Sequence, residues 1–235
     1  MAQPPMAPAL RQLSFKPDIS SGSLEAIKWL ALVAMTLDHT NKVIFDTSFP
    51  LMSDFGRLAM PLFGFVLAYN FARENAFSRC VHLNAIKKMA VIGLLATPFY
   101  MQTLGAGKLL PLNIMFTLAL VGSIIYIIEK GGWYREILVM LLFVYGSMFV
   151  DYLWIGVAYC LAAWFFCKNA NIWGLLAWLG ATIGLFYIND NHLAILAIPI
   201  IYIATKVNIN VPRLRLAFYI YYPVHLMLLW SIKTL

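Results

Sequence analysis

The feature that most constrains this chain is a succession of nine apolar runs. They lie at Leu24–Phe45, Leu58–Ala72, Ile86–Met101, Pro111–Ile128, Ile137–Val150, Tyr152–Phe166, Ile172–Ile188, His192–Ala204 and Leu216–Ile232. Segments of this length and apolarity cannot all be covered by one another in a chain of 235 residues, so most must face lipid. Composition agrees: 62% of residues are apolar and only 11% charged, where an ordinary soluble domain carries roughly a quarter. These figures exclude a disordered chain and a nucleic-acid module. The predicted fold class is all-α, a polytopic integral membrane bundle of about nine transmembrane helices in contact with the lipid bilayer. Several runs fall short of the roughly 20 residues that span hydrocarbon, which leaves partly interfacial segments open.

Residues 1–23 hold Pro4, Pro5, Pro8 and Pro17 with Arg11 and Lys16, and lack the apolar core of a secretory signal. They read as a disordered, proline-rich cytoplasmic tail, and residues 24–235 as a single membrane domain. With a cytoplasmic N-terminus and nine spans, the cytoplasmic side collects thirteen of the seventeen Lys and Arg: Arg11, Lys16, Lys28, Arg73, Arg79, Lys87, Lys88, Lys130, Arg135, Lys168, Lys206, Arg213 and Arg215. Lys42, Arg57, Lys108 and Lys233 remain on the other. Reading Ile137–Phe166 as one helix makes the split ten to seven, so the positive-inside rule favours a break at Asp151. Under this topology the net charge of +7 reports orientation. The three cysteines, Cys80, Cys160 and Cys167, imply neither a disulfide framework nor a zinc site.

Ionisable groups inside a membrane are costly and mark function by default. On this topology Asp38, His39, Arg57, Asn113, Asp151, Asp190 and His192 lie toward the outer ends of helices, with His225 mid-helix, which suggests a cavity open to that side. Asp38 is spaced to pair with Lys42 one turn on. His39 reads either as a satisfied histidine at an anchored helix end or as a general base, with Asp38 orienting it or holding a counter-charge. Arg57 is either an interfacial arginine paired with Asp54 or a fork of donors for an oxyanion or carboxylate. Asn113, just after Pro111, is either a packing residue or a site group. In the last helix Tyr221 and Tyr222 precede His225 by about one turn, with Pro223 between, and a buried histidine there needs a polar partner. Two histidines from opposite ends of the chain point to a shared site. Metal ligation by His39, His192 and His225 is weakly supported by spacing, and no metal is expected.

Five blocks occur in order: IKWLALVAMTLDHT at 27–40, GRLAMPLFGFVLAYNFAR at 56–73, LNIMFTL at 112–118, DYLWIGVAYCLAAWFF at 151–166 and YYPVHLMLLW at 221–230. Together they resemble the TraX family of conjugative-transfer membrane proteins and its relative TrbP, over about Leu24 to Trp230. The family is distantly similar to the acyltransferase-3 membrane enzymes. The resemblance implies a bacterial inner-membrane acetyltransferase that moves acetyl from acetyl-CoA to the N-terminal amine of a conjugative pilin subunit. It implies His39 with Asp38 as the base and Arg57 and His225 as donors to the thioester oxygen. Asn113, Asp151 and Tyr222 would meet the acceptor, and Arg73, Arg79, Lys87 and Lys88 would hold the CoA phosphates. A non-catalytic pilus-assembly factor, packing through faces such as Gly180 to Gly184, and a small-molecule transporter are the competing classes.

Overall fold

The computed structural model describes residues 17–105, 107–214 and 216–235, and all regular structure among them is helical. The tail expected before Pro17, with Arg11 and Lys16, lies outside the described residues, as does Arg215. Eleven α-helices follow: α1 (Ser21–Val43), α2 (Pro50–Gly56), α3 (Ala59–Ala72), α4 (Val81–Thr103), α5 (Ile114–Lys130), α6 (Arg135–Val144), α7 (Leu153–Asn169), α8 (Ile172–Gly184), α9 (Phe186–Asn189), α10 (Ala197–Ala204) and α11 (Ala217–Lys233). All nine apolar runs are helical over most of their length. Three are divided: α6 gives way to a 3₁₀ turn at Gly146–Phe149, α8 passes into α9 at Leu185, and a 3₁₀ turn at Leu193–Leu196 leads into α10.

Local chemistry sets the boundaries. The first helix starts three residues before Leu24 because the Ser20 hydroxyl accepts from the Ser23 amide at 3.1 Å. The Asn171 side chain caps α8 in the same way, accepting from Gly174 N at 2.7 Å. Gly131, at φ +72°, ends α5 in a conformation that costs a glycine little. The break expected at Asp151 is present. Helix α6 stops at Val144, a 3₁₀ turn covers Gly146–Phe149, and Asp151 N donates to Leu112 O at 2.9 Å, pinning the turn to the entry of α5.

Five helices close a ring in which each packs on the next, in the order α1, α3, α5, α4, α11 and back to α1. Helix α3 is buried nearly all round, with Leu62, Phe65, Ala68 and Phe71 inaccessible, because α7 covers its outer side and α8 packs on α7. Two helical stretches among the described residues are long and apolar enough to cross a membrane, Pro50–Ala72 and Ile172–Asn189. Helices α1 and α4 have 23 residues each, about 35 Å of rise, but carry charges along their length.

The segment after α10 straps across the start of α1. Ser23 Oγ donates to Val207 O at 2.5 Å and accepts from Ile209 N at 3.3 Å. Gly22 permits this approach, since a Cβ there would lie 1.8 Å from Ile209 O. At Gly180 a Cβ would meet nothing within 4 Å. Gly22→Ala is therefore expected to lower the thermal midpoint in detergent by displacing the strap, a cost of about 1 to 3 kcal/mol. Gly180→Ala should leave it unchanged or raise it slightly, by relief of helix entropy. Equal midpoints for both variants would contradict the strap contact.

Candidate functional site

The ring encloses one cavity of about 960 Å³ that follows α1 for most of its length. From α1 it is lined by Lys28, Leu32, Met35, His39 and Lys42, a 4-3-4-3 spacing that holds one helix face, with Asp38 beside it. Lys28 and Lys42 stand about 21 Å apart by helix rise. The two ends differ from the middle. At the Lys28 end the lining includes Arg73, Arg79, Lys88 and Arg213; the waist is apolar, with Met35, Met60, Phe63, Leu67 and Leu118; the Lys42 end carries Asp38, His39, Arg57, Asp151 and Tyr152.

The Lys42 end is assembled from three parts of the chain. Gly56 lies so close to α1 that a Cβ would come within 2.2 Å of Asp38 Cβ. Only glycine lets the α2–α3 junction sit there, and the next residue, Arg57, is thereby delivered beside Asp38. The glycine and arginine of the second block thus do one job together. Tyr152, held at φ +62° after the break, lines the same end of the cavity as Arg57. Lys42 Nζ donates to Asp38 Oδ2 at 2.6 Å, as the spacing predicted. Asp38 Oδ1 and Arg57 Nε are both buried with no protein partner, so this end retains one acceptor and one donor for a ligand.

The histidines of the first and last helices meet. His39 Nδ1 and His225 Nε2 are 2.8 Å apart, the two rings meeting edge to edge with centroids 5.1 Å apart and planes 13° from parallel. His225 Nδ1 lies 3.0 Å from Tyr221 O. The Tyr221 hydroxyl in turn shares a 2.8 Å hydrogen bond with Thr36 Oγ1 on α1. The shared site expected from these two histidines is present, with Tyr222 buried on the cavity wall nearby.

Several expectations need correction. Asp38 is committed to Lys42, and the group bonded to His39 is His225. Both ring nitrogens of His225 are engaged within the protein, which leaves neither to donate to a thioester oxygen. Arg57 does not take Asp54 as a partner; that carboxylate accepts from Asn191 Nδ2 at 2.9 Å. Asn113 is not a site group. It is fully buried, caps α5 by accepting from Met115 N at 3.2 Å, and donates to Gly93 O and Thr97 Oγ1 on α4. Of the four cations expected on one loop, Arg73, Arg79 and Lys88 line the cavity, while Lys87 is exposed and turned from it. His192 stacks on Phe186 at 4.4 Å, and no group of three or more His, Cys, Asp or Glu among the described residues could hold a metal.

Lys28, Arg213 and Tyr152 were not anticipated as lining. Lys28 was legible, since it occupies the His39 face of α1 eleven residues earlier. Arg213 arrives only through the strap, where it lies 3.9 Å from Glu25, itself paired with Lys28 at 2.5 Å.

Asp151 sits between helices with its side chain enclosed. Burial pushes its carboxyl up to about 6, assisted by the charge of Asp38 and opposed by the Tyr152 amide, which donates to it at 3.0 Å, and by Lys42 and Arg57. Because the folded value lies above the ordinary 3.8, the protein favours the protonated acid, and the penalty of ionising it develops as pH rises from that value through about 6. Infrared spectra are expected to show a protonated-carboxyl band that titrates near pH 6 and is absent in Asp151→Asn. A carboxyl already ionised near pH 5 would contradict this environment.

The motifs that bracket this cavity, Asp38-His39 on α1 and Gly56-Arg57 before α3, belong to a sequence pattern that extends across the molecule. A family model described as TraX protein matches residues 23–233, nearly the whole chain. No curated protein and no solved structure matches. With a match spanning every helix of the ring, the chain belongs to the TraX family.

Proposed function

We propose that this chain is a multi-pass inner-membrane acetyltransferase, which moves acetyl from acetyl-CoA to the N-terminal amine of a conjugative pilin subunit. Membership in the TraX family points to a role in conjugation. The observation that carries the reading is the cavity with a cationic end, an apolar waist and a polar far end. Acetyl-CoA has the matching shape: a polyanionic nucleotide head, a long thin pantetheine arm and a small acyl group at its tip. Lys28, Arg73, Arg79, Lys88 and Arg213 would hold the phosphates, Arg in particular by paired donors. The arm would lie along Met35, Met60 and Phe63 and bring the thioester to His39. On this reading no separate carrier for acetyl is needed, because the donor itself reaches from one end of the bundle to the other.

A multi-pass arrangement is supported by the outer surface, where Leu94, Leu95, Met140, Leu176, Ile183 and Leu228 are each more than half exposed. An apolar surface of that extent suits lipid better than water. The thirteen-to-four distribution of Lys and Arg then puts the cationic mouth on the cytoplasmic side, where CoA is made, and His39 toward the side where a processed pilin presents its new amine.

In the reaction His39 Nε2 takes a proton from the acceptor ammonium, freeing the nitrogen lone pair to attack the thioester carbon. The carbonyl oxygen gains negative charge, for which the unpaired Arg57 Nε–H is the available donor. Collapse breaks the C–S bond, the sulfur leaves with a proton, and the second hydrogen lost by the nitrogen passes to solvent, so one proton is released per amide formed. Asp38 and Asp151, at the same end, would attract the cationic amine before it is deprotonated. Neither intramembrane cysteine is placed for a covalent step: Cys160 is packed against Gly64, and both Cys160 and Cys167 are buried away from the cavity lining.

Intact mass of the pilin encoded alongside this chain tests the reading. One acetyl group is expected with the wild type and none with His39→Ala or without the chain; identical masses in all three would overturn it. Binding provides a separate check on the mouth. Combined Arg73→Ala, Arg79→Ala and Lys88→Ala should weaken CoA by at least about tenfold, since one lost charge-assisted bond is worth about 1.5 kcal/mol or more. Lys87→Ala should leave CoA affinity unchanged. An unaltered affinity in the triple variant would remove these residues from the donor site.

A further inference from the structure

The hydrogen bonds around His225 determine which nitrogen of His39 is free. Tyr221 O is a carbonyl oxygen and can only accept, so His225 Nδ1, 3.0 Å away, carries a hydrogen. A neutral His225 then has its lone pair on Nε2. That atom lies 2.8 Å from His39 Nδ1, so His39 is the donor and its proton sits on Nδ1. A neutral His39 in this tautomer has its lone pair on Nε2, while the residue as a whole lines the cavity. The direction of the hydrogen-bond chain is therefore set by one backbone carbonyl in α11 and read out two hydrogen bonds later as the basic nitrogen of α1.

We propose that His225 is a positioning residue which, backed by the Tyr221 carbonyl, locks His39 in the Nδ1–H tautomer and keeps Nε2 as the proton acceptor. The inference rests on the reading of His39 as the base for acyl transfer, and it assigns the orienting part to a histidine where a carboxylate was expected. Asp38 pairs with Lys42 through Oδ2, and its Oδ1 has no protein partner, so it makes no bond to His39. The dyad has a second consequence when His39 is protonated. The hydrogen between the rings can shift from His39 Nδ1 to His225 Nε2, so the positive charge is shared across both imidazoles with no net change in the number of protons. Tyr221 supports the shared charge from its other face, its ring lying against His225 at 5.1 Å and 8° from parallel. Since Tyr221 is also bonded through its hydroxyl to Thr36, two contacts keep α11 in register with α1 at this level.

The test is nitrogen-15 NMR of imidazole-labelled full-length protein in lipid nanodiscs, at a pH where His39 is neutral. The chain has only four histidines, and His39→Gln and His225→Gln identify the two signals. The expected result is a protonated Nδ1 and unprotonated Nε2 for His39, and the same tautomer for His225. A His39 found with its proton on Nε2 would overturn the proposal whether or not the wild type acetylates anything, so its failure is distinguishable from failure of the acetyltransferase reading. Two variants add a functional arm. His225→Leu should lower the acetylation rate by about 100-fold, the low end of what a positioned base contributes, while CoA affinity stays unchanged. His225→Gln, whose amide oxygen can accept from His39 Nδ1, should recover most of that loss. Equal activity of His225→Leu and the wild type would reject the positioning role, as would a His225→Gln no better than His225→Leu in protein that binds CoA normally.

Discussion

Closure of the helix ring depends on the first helix meeting the last, and three side-chain pairs make that contact along α1. Trp29 meets Phe218 edge-on at 5.2 Å, Thr36 bonds to Tyr221 at 2.8 Å, and His39 bonds to His225 at 2.8 Å. They fall on successive turns of α11, so the two helices are aligned by polar bonds as well as by packing. In an apolar interior such bonds specify register strongly, because a slip of one residue would leave several donors and acceptors unpaired. The same seam encloses the cavity on one side. Site and fold therefore share their most specific contacts.

The electrostatic layout follows from what an apolar interior tolerates. Most buried charges here are matched: Asp38 with Lys42, Glu25 with Lys28, and Glu129 with Lys168 at 2.7 Å. The cationic end sets Lys28, Arg73, Arg79, Lys88 and Arg213 around one opening, with Glu25 paired to Lys28 and 3.9 Å from Arg213. The far end keeps an unpaired Asp38 oxygen and an unpaired Arg57 N–H, one acceptor and one donor. Asp151 belongs to the same set. Its turn is fixed by Thr117 Oγ1, which donates to Asp151 O at 2.8 Å, and by Leu112, so its position is a property of the α5–α7 connection.

Much of this was legible residue by residue, and the places where it was not are instructive. The i,i+4 pair of Asp38 and Lys42 follows from helix geometry alone, as does the stripe that puts Lys28 and His39 on one face. The break at Asp151 was readable from charge asymmetry across the chain. Asn113 misled because a polar residue just inside an apolar run looks the same whether it caps its own helix or faces a site; only the donors around it distinguish the two. Lys87 and Lys88 are adjacent, yet 100° of helical rotation sends one out and the other to the cavity. His225 was recognised as needing a partner, but its partner lies 186 residues away.

What the sequence by itself determined is the set of helices, their polar stripes and the family, because apolar periodicity, capping residues and charge bias are local properties of the chain. What only the tertiary structure decided is which stripes face one another. Gly56 against Asp38, the strap that carries Arg213, and the direction of the hydrogen bonds through His225 to His39 all depend on contacts between helices far apart in sequence. The physical reason is that a hydrogen bond or an ion pair is specified by distance and angle in space, whereas a sequence specifies only the residues available to make it.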